Sequence, residues 1–460
     1  MYRMFFCWLL CACGFTSLQA QAARELTGST PAGAQYRIMV PDGWRDGDPL
    51  VMYQHGLDFA PTRETPGLGP LRDLMLEQGY AIAASSFRQR GWALFHAIAD
   101  NRDLLEVFER EVGHPGEMLP FGGSMGGLIA LRLAEARGFP PVRGVYALCP
   151  AAAGARLWDA AIDLRLAFDT VCEGAGAGDL PAGSSPLDWA LDLEDIPLDL
   201  GDLGDQLRVL AALVALNRCT GVNLPPALRN DAMRERLAEL MQFARLTDED
   251  FLVTQVAYAV FVLSELVRAP DALGGANPFT TAGVDYGDVP DIDAGIRRIV
   301  ADPRAEQALH RASYFGGDIG GAKVLSMHTS RDELVVPANQ EFIRDVVPPQ
   351  QLVSAIVVED APSHCGFSEA EGLAGWQALR AWMDGAPQPA VSDLKLLCSE
   401  LAGSGLEGPC RFDPEAEPAA FDSLVRPRAA DAPSPLPIRP QRAPPAGYVG
   451  PRARATPLPR

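Results

Sequence analysis

A serine set between two pairs of glycines is the part of this sequence best suited to chemistry. Residues 119–127 read LPFGGSMGG, so that Gly122 and Gly123 precede Ser124 and Gly126 follows two residues later. A strained turn between a strand and a helix exposes a serine hydroxyl for nucleophilic attack, and glycine removes side chains that would clash with nearby backbone. The pattern alone is weak. Its place between a predicted strand and a predicted helix makes Ser124 a candidate nucleophile.

A serine is a poor nucleophile at neutral pH and needs a base, usually a histidine oriented by a carboxylate. The chain has only six histidines, so each can be considered in turn as the base. His364 alone follows a late predicted strand and precedes the final predicted helix of the sheet region. A loop in that position can reach back over the sheet edge where the serine turn lies. We therefore predict that His364 is the general base.

The carboxylate that orients the histidine should follow the preceding strand. Asp332 lies in the stretch SRDELVVP, directly after the predicted strand 322–329. Glu333 is the neighbouring alternative, and an acid in such a turn could also be an ordinary surface residue. The order serine, acid, histidine, with one residue at each strand end, favours Asp332.

The elements that must position these residues alternate along the chain. The predicted strands are 36–40, 50–54, 80–85, 117–121, 143–148, 322–329 and 352–359. The predicted helices between and after them are 68–78, 100–112, 125–137, 338–346 and 369–384. Alternation of this kind predicts an α/β fold with a mostly parallel sheet and helices on both faces.

A long helical insertion separates the two halves of the predicted sheet. Residues 155–310 contain amphipathic stretches at 205–217, 232–245 and 250–268 and no clear strand. They carry 26 acidic and 12 basic residues, a net charge of −14 out of −20 for the whole chain. A solvated helical surface is the simpler interpretation, and an acidic face for a cationic substrate is the alternative.

Together the motifs resemble those of the α/β-hydrolase superfamily over residues 35–150 and 320–384. The resemblance is carried by the serine turn, the His55-Gly56 pair, the Asp332 turn with Val336-Pro337, and the His364 loop. It implies that nucleophile, acid and base occur in this chain order. It also implies an oxyanion hole made by the N–H groups of Met125 and Leu57, and a helical cap inserted after the sixth strand.

The resemblance leaves the subfamily open. The serine turn is similar to those of cap-bearing aminopeptidases and prolyl-oligopeptidase-like enzymes. The pair His364-Cys365 is similar to that of tannases and feruloyl esterases, in which this cysteine is bridged to one just before the nucleophile. Position 123 is glycine, so that bridge cannot form in this chain.

The observations divide the chain into six parts. These are a signal peptide (1–22), the first part of the α/β-hydrolase core (23–154), a helical cap (155–310), the second part of the core (311–385), a small extension (386–425) and a disordered tail (426–460). The tail holds ten prolines and seven arginines against one acidic residue. Such a composition is typical of segments that do not pack.

The N-terminus has the pattern of an export signal. Arg3 precedes an apolar run, and small residues up to Ala22 predict cleavage after that position. A lipoprotein with acylated Cys13 is the alternative. The apolar run is shorter than the ~20 residues of a membrane-spanning helix. We therefore expect a secreted or periplasmic protein without a stable membrane span.

Six cysteines follow the signal, and an even number in an exported protein favours disulfides, with fifteen pairings possible. The pairs considered, from strongest to weakest support, are Cys398 with Cys410 across a short loop, then Cys172 with Cys219, and Cys149 with Cys365. No C-x-x-C motif, His/Cys cluster or H-E-x-x-H motif is present, so we expect neither a metal nor an organic cofactor.

Composition narrows the functional classes. Fifty-nine acidic against 39 basic residues exclude a nucleic-acid partner, and the ordinary apolar fraction excludes wholesale disorder and a multi-span membrane protein.

Taken with Ser124, Asp332, His364 and the signal peptide, these observations predict an exported serine hydrolase that cleaves a carboxylic ester, with a small ester or peptide as substrate. The alternatives are an aminopeptidase-like amidase with an acidic lid and an inert hydrolase-fold binding module. The oligomeric state is left open.

Overall fold

The computed structural model describes residues 23–57, 64–173, 175, 203–269, 271–406 and 408–428. The predicted signal peptide, including Cys13, and the predicted tail beyond residue 428 lie outside the described residues. Part of the predicted cap, residues 176–202, also lies outside them.

One eight-stranded sheet forms the centre of the described chain. Its strands are β1 (Arg24–Ser29), β2 (Gln35–Val40), β3 (Pro49–Gln54), β4 (Ala81–Ser85), β5 (Glu117–Gly123), β6 (Gly144–Leu148), β7 (Lys323–Thr329) and β8 (Leu352–Val357). They lie in the order β1-β2-β4-β3-β5-β6-β7-β8. β2 is antiparallel to both β1 and β4, and all other neighbouring pairs are parallel. This mostly parallel sheet, with its helices, is the α/β-hydrolase fold, and the predicted fold class is confirmed.

Helices connect the strands and form the insertion. They are α1 (Arg72–Glu77), α2 (Ala97–Glu111), α3 (Met125–Glu135), α4 (Arg156–Val171), α5 (Leu203–Thr220), α6 (Asp231–Ala244), α7 (Glu249–Ala257), α8 (Leu263–Arg268), α9 (Pro290–Gly295), α10 (Pro303–Ser313), α11 (Asn339–Val346), α12 (Glu369–Met383), α13 (Val391–Gly403) and α14 (Phe421–Leu424). A π-helical turn, Tyr258–Val262, joins α7 to α8. Helices α4 to α10 follow β6, and β7 resumes the sheet after them.

One strand, β1, was not predicted from the sequence. Its sequence, RELTGS, is mostly polar, and alternate residues are exposed because the strand pairs with β2 alone at the sheet edge. An edge strand needs little apolar sequence, so periodicity gives no signal there. The other seven strands lie within two residues of their predicted limits at each end.

Apolar side chains cover both faces of the sheet. One face packs on α2, α3 and the helical insertion in a single continuous core, which includes Phe108, Leu128 and Trp158. The other face packs on α1, α12 and α13 around Trp376. Because the insertion shares a core with the sheet, burial of apolar surface holds it against the carboxyl side of the strands.

The helix Glu249–Arg268 has the length and apolar composition of a membrane span. Within the described residues it is the one helix that does, and 56% of its apolar stretch is buried inside the protein. Its composition is therefore explained by packing between the insertion and the sheet.

The last described segment crosses from the sheet domain to the insertion. Phe421 is buried against the start of α11, and Arg426 donates hydrogen bonds to the Phe243 carbonyl (2.9 Å) and to Asp288 (2.7 Å). We call residues 421–428 the C-terminal strap. The sequence predicted that the disordered tail begins at residue 426, so residues 426–428 correct that boundary. Arg426 is buried because its guanidinium has these hydrogen-bond acceptors.

Arg428 completes the strap by reaching two carboxylates of α4. Its guanidinium lies 2.9 Å from Asp163 and 3.2 Å from Asp159, and its side chain is only 8% exposed. Tyr286 donates a further hydrogen bond of 2.6 Å to Asp163. Buried carboxylates need such partners, because desolvation disfavours their charge.

Arg428→Ala should lower the free energy of unfolding by about 3–5 kcal/mol, because it leaves buried Asp163 without its positive partner and Asp159 with Arg156 alone. Urea unfolding followed by tryptophan fluorescence measures the change. The matched control is Arg110→Ala, which removes an exposed arginine paired with Glu111 and should change the same free energy by less than about 1 kcal/mol. Equal effects of the two variants would contradict the proposed role of the strap.

Candidate active site

Ser124 occupies the sharp turn between β5 and α3. Its backbone angles, φ 57° and ψ −126°, lie in a region that residues with side chains rarely adopt. Hydrogen bonds hold the turn: the Ser124 N–H donates to Leu148 (2.9 Å), and its carbonyl accepts from Gly127 and Ala151 (3.0 Å each). The serine is therefore fixed at the carboxyl end of the central strand.

Two of the predicted glycines are sterically required. A Cβ on Gly122 would lie 2.5 Å from the Gly126 carbonyl oxygen, and one on Gly126 would lie 2.6 Å from that of His55. Gly123 differs, because a Cβ there would lie 3.7 Å from the Leu148 carbonyl oxygen, an ordinary contact. The expectation that every glycine of the turn prevents a clash is therefore wrong for Gly123.

The structure brings Ser124, His364 and Asp332 together in one hydrogen-bonded chain. The distance from His364 Nε2 to Ser124 Oγ is 3.0 Å, and that from His364 Nδ1 to Asp332 Oδ2 is 2.8 Å. The imidazole can accept the serine proton at Nε2 when Nδ1 carries the proton directed at Asp332. The three residues come from the loops after β5, β7 and β8.

Backbone N–H groups fix the Asp332 carboxylate. Its Oδ1 accepts from Leu334 (3.0 Å) and Val335 (2.9 Å), and its side chain is fully buried. Glu333, the alternative acid, turns the other way and accepts from the N–H groups of Thr247 (3.1 Å) and Asp248 (3.2 Å) of the insertion. Glu333 is thus a contact between the acid loop and the insertion, and it does not reach the imidazole.

His328 is a supporting residue that the sequence analysis did not identify. Its Nε2 donates to the Val335 carbonyl at 2.6 Å, and the Gln340 amide lies 3.3 Å from its Nδ1. Burial lowers the pKa of His328, so the ring stays neutral, and it lies beside Asp332 Oδ2 (3.7 Å). The sequence feature that could have identified it is a histidine four residues before Asp332, near the end of a predicted strand.

A disulfide joins Cys149, directly after β6, to Cys365, next to His364, with 5.6 Å between the Cα atoms. Both cysteines have left-handed backbone, with φ 38° and φ 56°. All three pairings considered from the sequence are present, since the other two bridges are Cys172–Cys219 and Cys398–Cys410. Three disulfides are typical of a protein from an oxidising environment.

The two cysteines of this disulfide belong to a cluster of side chains of the types that can bind a metal ion. Within the part of the chain that the structure describes, Cys149, Asp332, His364 and Cys365 form one group whose ligand atoms lie within 4.8 Å of one another. The two sulfur atoms are bonded to each other, and the imidazole and carboxylate are hydrogen bonded in the chain from Ser124. These four side chains therefore bond or hydrogen bond to one another and to Ser124.

A small cavity of about 50 Å³ lies over Ser124. Its walls from the sheet domain are Leu57, Trp92, Met125, Ala151, Leu334 and Val335, and its walls from the insertion are Leu157, Trp158, Ala161, Gln255 and Tyr258. Burial raises the pKa of Tyr258 to about 12, and the charge of Asp332 adds to the effect. The phenol is therefore neutral at pH 7, and no charged side chain of the described residues lines this cavity.

Trp92 is one of the aromatic side chains that line this cavity. Its indole packs edge-on against Trp158 of α4, with 5.4 Å between the ring centroids. Arg88, four residues earlier in the chain, does not line the cavity and is paired with Asp100 of α2. The insertion thus lies over the serine as a cap and forms one side of the cavity.

Comparisons with known proteins give one partial sequence match. No protein-family model matches the chain. Over 120 residues the chain is 28% identical to o-phthalyl amidase of Xanthobacter agilis, and the match covers 25% of this chain and 25% of that protein. The match thus spans only a quarter of the length of that relative.

Solved structures with a similar fold include both esterases and a peptidase. An esterase from Pyrococcus furiosus has 13% identity and a TM-score of 0.35, over 79% of this chain and 90% of its own. Dipeptidyl peptidase 4 of Porphyromonas gingivalis has 10% identity and a TM-score of 0.38, over 80% and 36%. The rice cell wall degrading esterase LipA of Xanthomonas oryzae has 13% identity and a TM-score of 0.32, over 76% and 83%.

Tryptic digestion under non-reducing conditions should reveal the three bridges by mass spectrometry. Cleavage after arginine and lysine gives a linked pair of peptides 144–156 and 345–380, each with one cysteine, and a linked pair 166–208 and 219–229. Peptide 396–411 holds both cysteines of the third bridge and should lack two hydrogen atoms. Free thiols in peptides 144–156 and 345–380 would contradict the bridge beside His364.

Proposed function

We propose that this protein is an exported serine hydrolase that cleaves a carboxylic ester through an acyl-enzyme on Ser124. The observation that carries the proposal is the unbroken hydrogen-bonded chain from Asp332 through His364 to Ser124, with distances of 2.8 and 3.0 Å. A nucleophile, a base and an orienting carboxylate in this arrangement are the requirement for acyl transfer at neutral pH.

The first half of the reaction forms the acyl-enzyme. Ser124 Oγ attacks the ester carbonyl carbon while His364 Nε2 takes the hydroxyl proton, and Asp332 stabilises the imidazolium that results. The tetrahedral intermediate collapses when the bond to the alcohol oxygen breaks, and His364 gives that oxygen its proton. A water molecule then attacks the acyl carbon with His364 again as base, which releases the acid and restores Ser124.

The N–H groups of Met125 and Leu57 are the proposed donors to the oxyanion. Met125 is the first residue of α3, where the backbone N–H has no partner within the helix. Both residues line the cavity over Ser124, and among the described residues neither N–H donates to another group. Removing such a donor usually costs about 10²–10³ in turnover, so these two amides would supply a large part of the rate.

The cavity over Ser124 favours an uncharged group on the acyl side. It is lined by apolar and aromatic side chains with only a glutamine and a neutral phenol as polar groups. A peptidase that recognises a free amine needs a carboxylate near that amine, and no carboxylate of the described residues lines this cavity. The negative charge of the cap therefore lends no support to amine recognition beside Ser124.

Amide cleavage is the second candidate, and the partial match to o-phthalyl amidase favours it. The two candidates use the same residues and differ in the leaving group. Comparing kcat/KM for p-nitrophenyl butyrate, butyryl p-nitroanilide and an o-phthalyl amide on the purified protein decides between them. A higher value for either amide than for the ester would replace the ester assignment.

An inert binding module is the remaining alternative. A fluorophosphonate probe reacts with a serine only when a base activates it, so labelling reports on the nucleophile without requiring the natural substrate. Labelling at Ser124 in the folded protein supports the enzyme. Failure to label would favour a binding role.

Export is part of the proposal and rests on two features. The first is the predicted signal peptide with cleavage after Ala22. The second is the set of three disulfides, which persist in oxidising compartments. A mature N-terminus at Ala23 on the exported protein supports this assignment, whereas acylation of Cys13 would replace it with a lipoprotein.

Ser124→Ala and His364→Ala should each lower kcat on p-nitrophenyl acetate by about 10⁴-fold or more, because the three residues act as one unit. Asp332→Asn should lower kcat by about 10⁴-fold, since the amide no longer holds the required tautomer. The control is Ser399→Ala on the exposed face of α13, which should leave kcat unchanged. Retention of more than a tenth of the activity by Ser124→Ala would refute the assignment.

The double variant Cys149→Ala/Cys365→Ala should lower kcat by about 10²-fold with little change in KM. The bridge fixes the residue next to His364, and a displacement of about 1 Å at a catalytic group can cost this much. The matched control is Cys398→Ala/Cys410→Ala, which removes a bridge between α13 and the following loop. Steady-state kinetics on p-nitrophenyl acetate that show equal kcat for both double variants would contradict this role.

A further inference from the structure

A second and larger cavity lies directly behind the wall of the first. Its volume is about 360 Å³, against about 50 Å³ for the cavity over Ser124. Small-molecule sites in proteins usually occupy about 300–1,000 Å³, so the larger cavity has the size of a binding site and the smaller one does not. Leu157, Gln255 and Leu334 line both cavities. We call these three side chains the partition.

The partition forms where the cap meets the acid loop. Leu157 comes from α4, Gln255 from α7, and Leu334 from the loop that carries Asp332. The Gln255 amide donates to the Glu333 carbonyl at 2.5 Å, which fixes the glutamine side chain between the two cavities. The backbone of Leu334 is fixed as well, because its N–H donates to Asp332 (3.0 Å).

The larger cavity is suited to an apolar chain near the partition. Beyond Leu157 and Leu334 it is bounded by Leu164, Phe243, Leu246 and Val336. Its charged side chains already have partners within the protein; they are Asp163, Arg245, Arg331, Asp332, Glu333, Glu417 and Arg426. Arg426 is bonded to Asp288, and Glu333 is bonded to the backbone of Thr247. An ion is therefore not needed to balance them.

The group in the cavity over Ser124 is the acyl side of the substrate. The carbonyl carbon must bond to Ser124 Oγ, and its oxygen must face the N–H groups of Met125 and Leu57, all of which border this cavity. The leaving group must instead face His364, which gives it a proton, and His364 does not line the cavity. The partition therefore lies at the far end of the acyl group.

From this geometry, and on the basis of the proposed function, we infer that the partition restricts the enzyme to short, uncharged acyl groups. Removal of one partition side chain joins the two cavities and extends the acyl site along the apolar wall of the larger cavity, which gives room for a medium-length acyl chain. Leu157, Gln255 and Leu334 are thus specificity-determining residues, because they set the length of the acyl group without taking part in bond making.

The test is a series of p-nitrophenyl esters with acyl chains from acetate to decanoate. The native protein should prefer acetate to butyrate, with kcat/KM for octanoate at least tenfold lower than for butyrate. Leu157→Ala should raise the octanoate-to-butyrate ratio of kcat/KM by tenfold or more. Gln255→Ala is the second variant, and it should raise the same ratio even if Leu157→Ala fails to fold.

The matched control is Leu164→Ala. Leu164 is a buried leucine of the same helix that lines the larger cavity and not the smaller one. Its substitution enlarges the larger cavity without opening the partition, so the octanoate-to-butyrate ratio should stay within twofold of the native value. An equal rise for Leu157→Ala and Leu164→Ala would mean that general loosening of α4, and not the partition, governs acyl length, and would overturn the inference.

Failure of the inference is distinct from failure of the proposed function. If the native protein hydrolyses octanoate as well as butyrate, or if neither partition variant changes the ratio while acetate is still cleaved, the partition is refuted and the serine hydrolase stands. If the native protein cleaves no ester of the series and Ser124 is not labelled by a fluorophosphonate, the proposed function fails and the inference fails with it.

Discussion

The left-handed backbone at Ser124 is the constraint on which the arrangement depends. A residue with a side chain at φ 57° costs of order 1–3 kcal/mol, and it persists only where its surroundings leave no alternative. Here Gly122 and Gly126 allow two strand ends and a helix to approach within backbone contact, and hydrogen bonds to Leu148 and Ala151 hold the serine from both sides. With a side chain at either glycine, α3 could not start where it does, and the hydroxyl would not face the imidazole.

The acid loop after β7 connects the rest of the site to that serine. Asp332 orients His364, the next residue bonds to the cap, and Leu334 forms part of the wall between the two cavities. His328 supports the same loop from inside the sheet through the Val335 carbonyl. Because one short loop makes all these contacts, the position of the cap and the position of the imidazole are physically coupled.

Among the described residues, the acidic side chains of the cap are not the ones that line the cavity over Ser124. Most of the chain's negative charge belongs to the cap, yet the cavity over Ser124 has no charged lining among the described residues. Some of the acidic side chains serve structure, as Asp159 and Asp163 do by binding Arg428 of the C-terminal strap. Part of the negative charge of the cap therefore serves to hold the strap.

The sequence by itself determined the serine turn, the chain order of Ser124, Asp332 and His364 at successive strand ends, and seven of the eight strands. These follow from local patterns, since glycine spacing and apolar periodicity act over a few residues and the ends of parallel strands meet at one edge. Only the tertiary structure decided the bridge from Cys149 to Cys365, the support from His328, the strap and the partition. Each of these depends on a distance between side chains brought together by folding, and local sequence does not encode such distances.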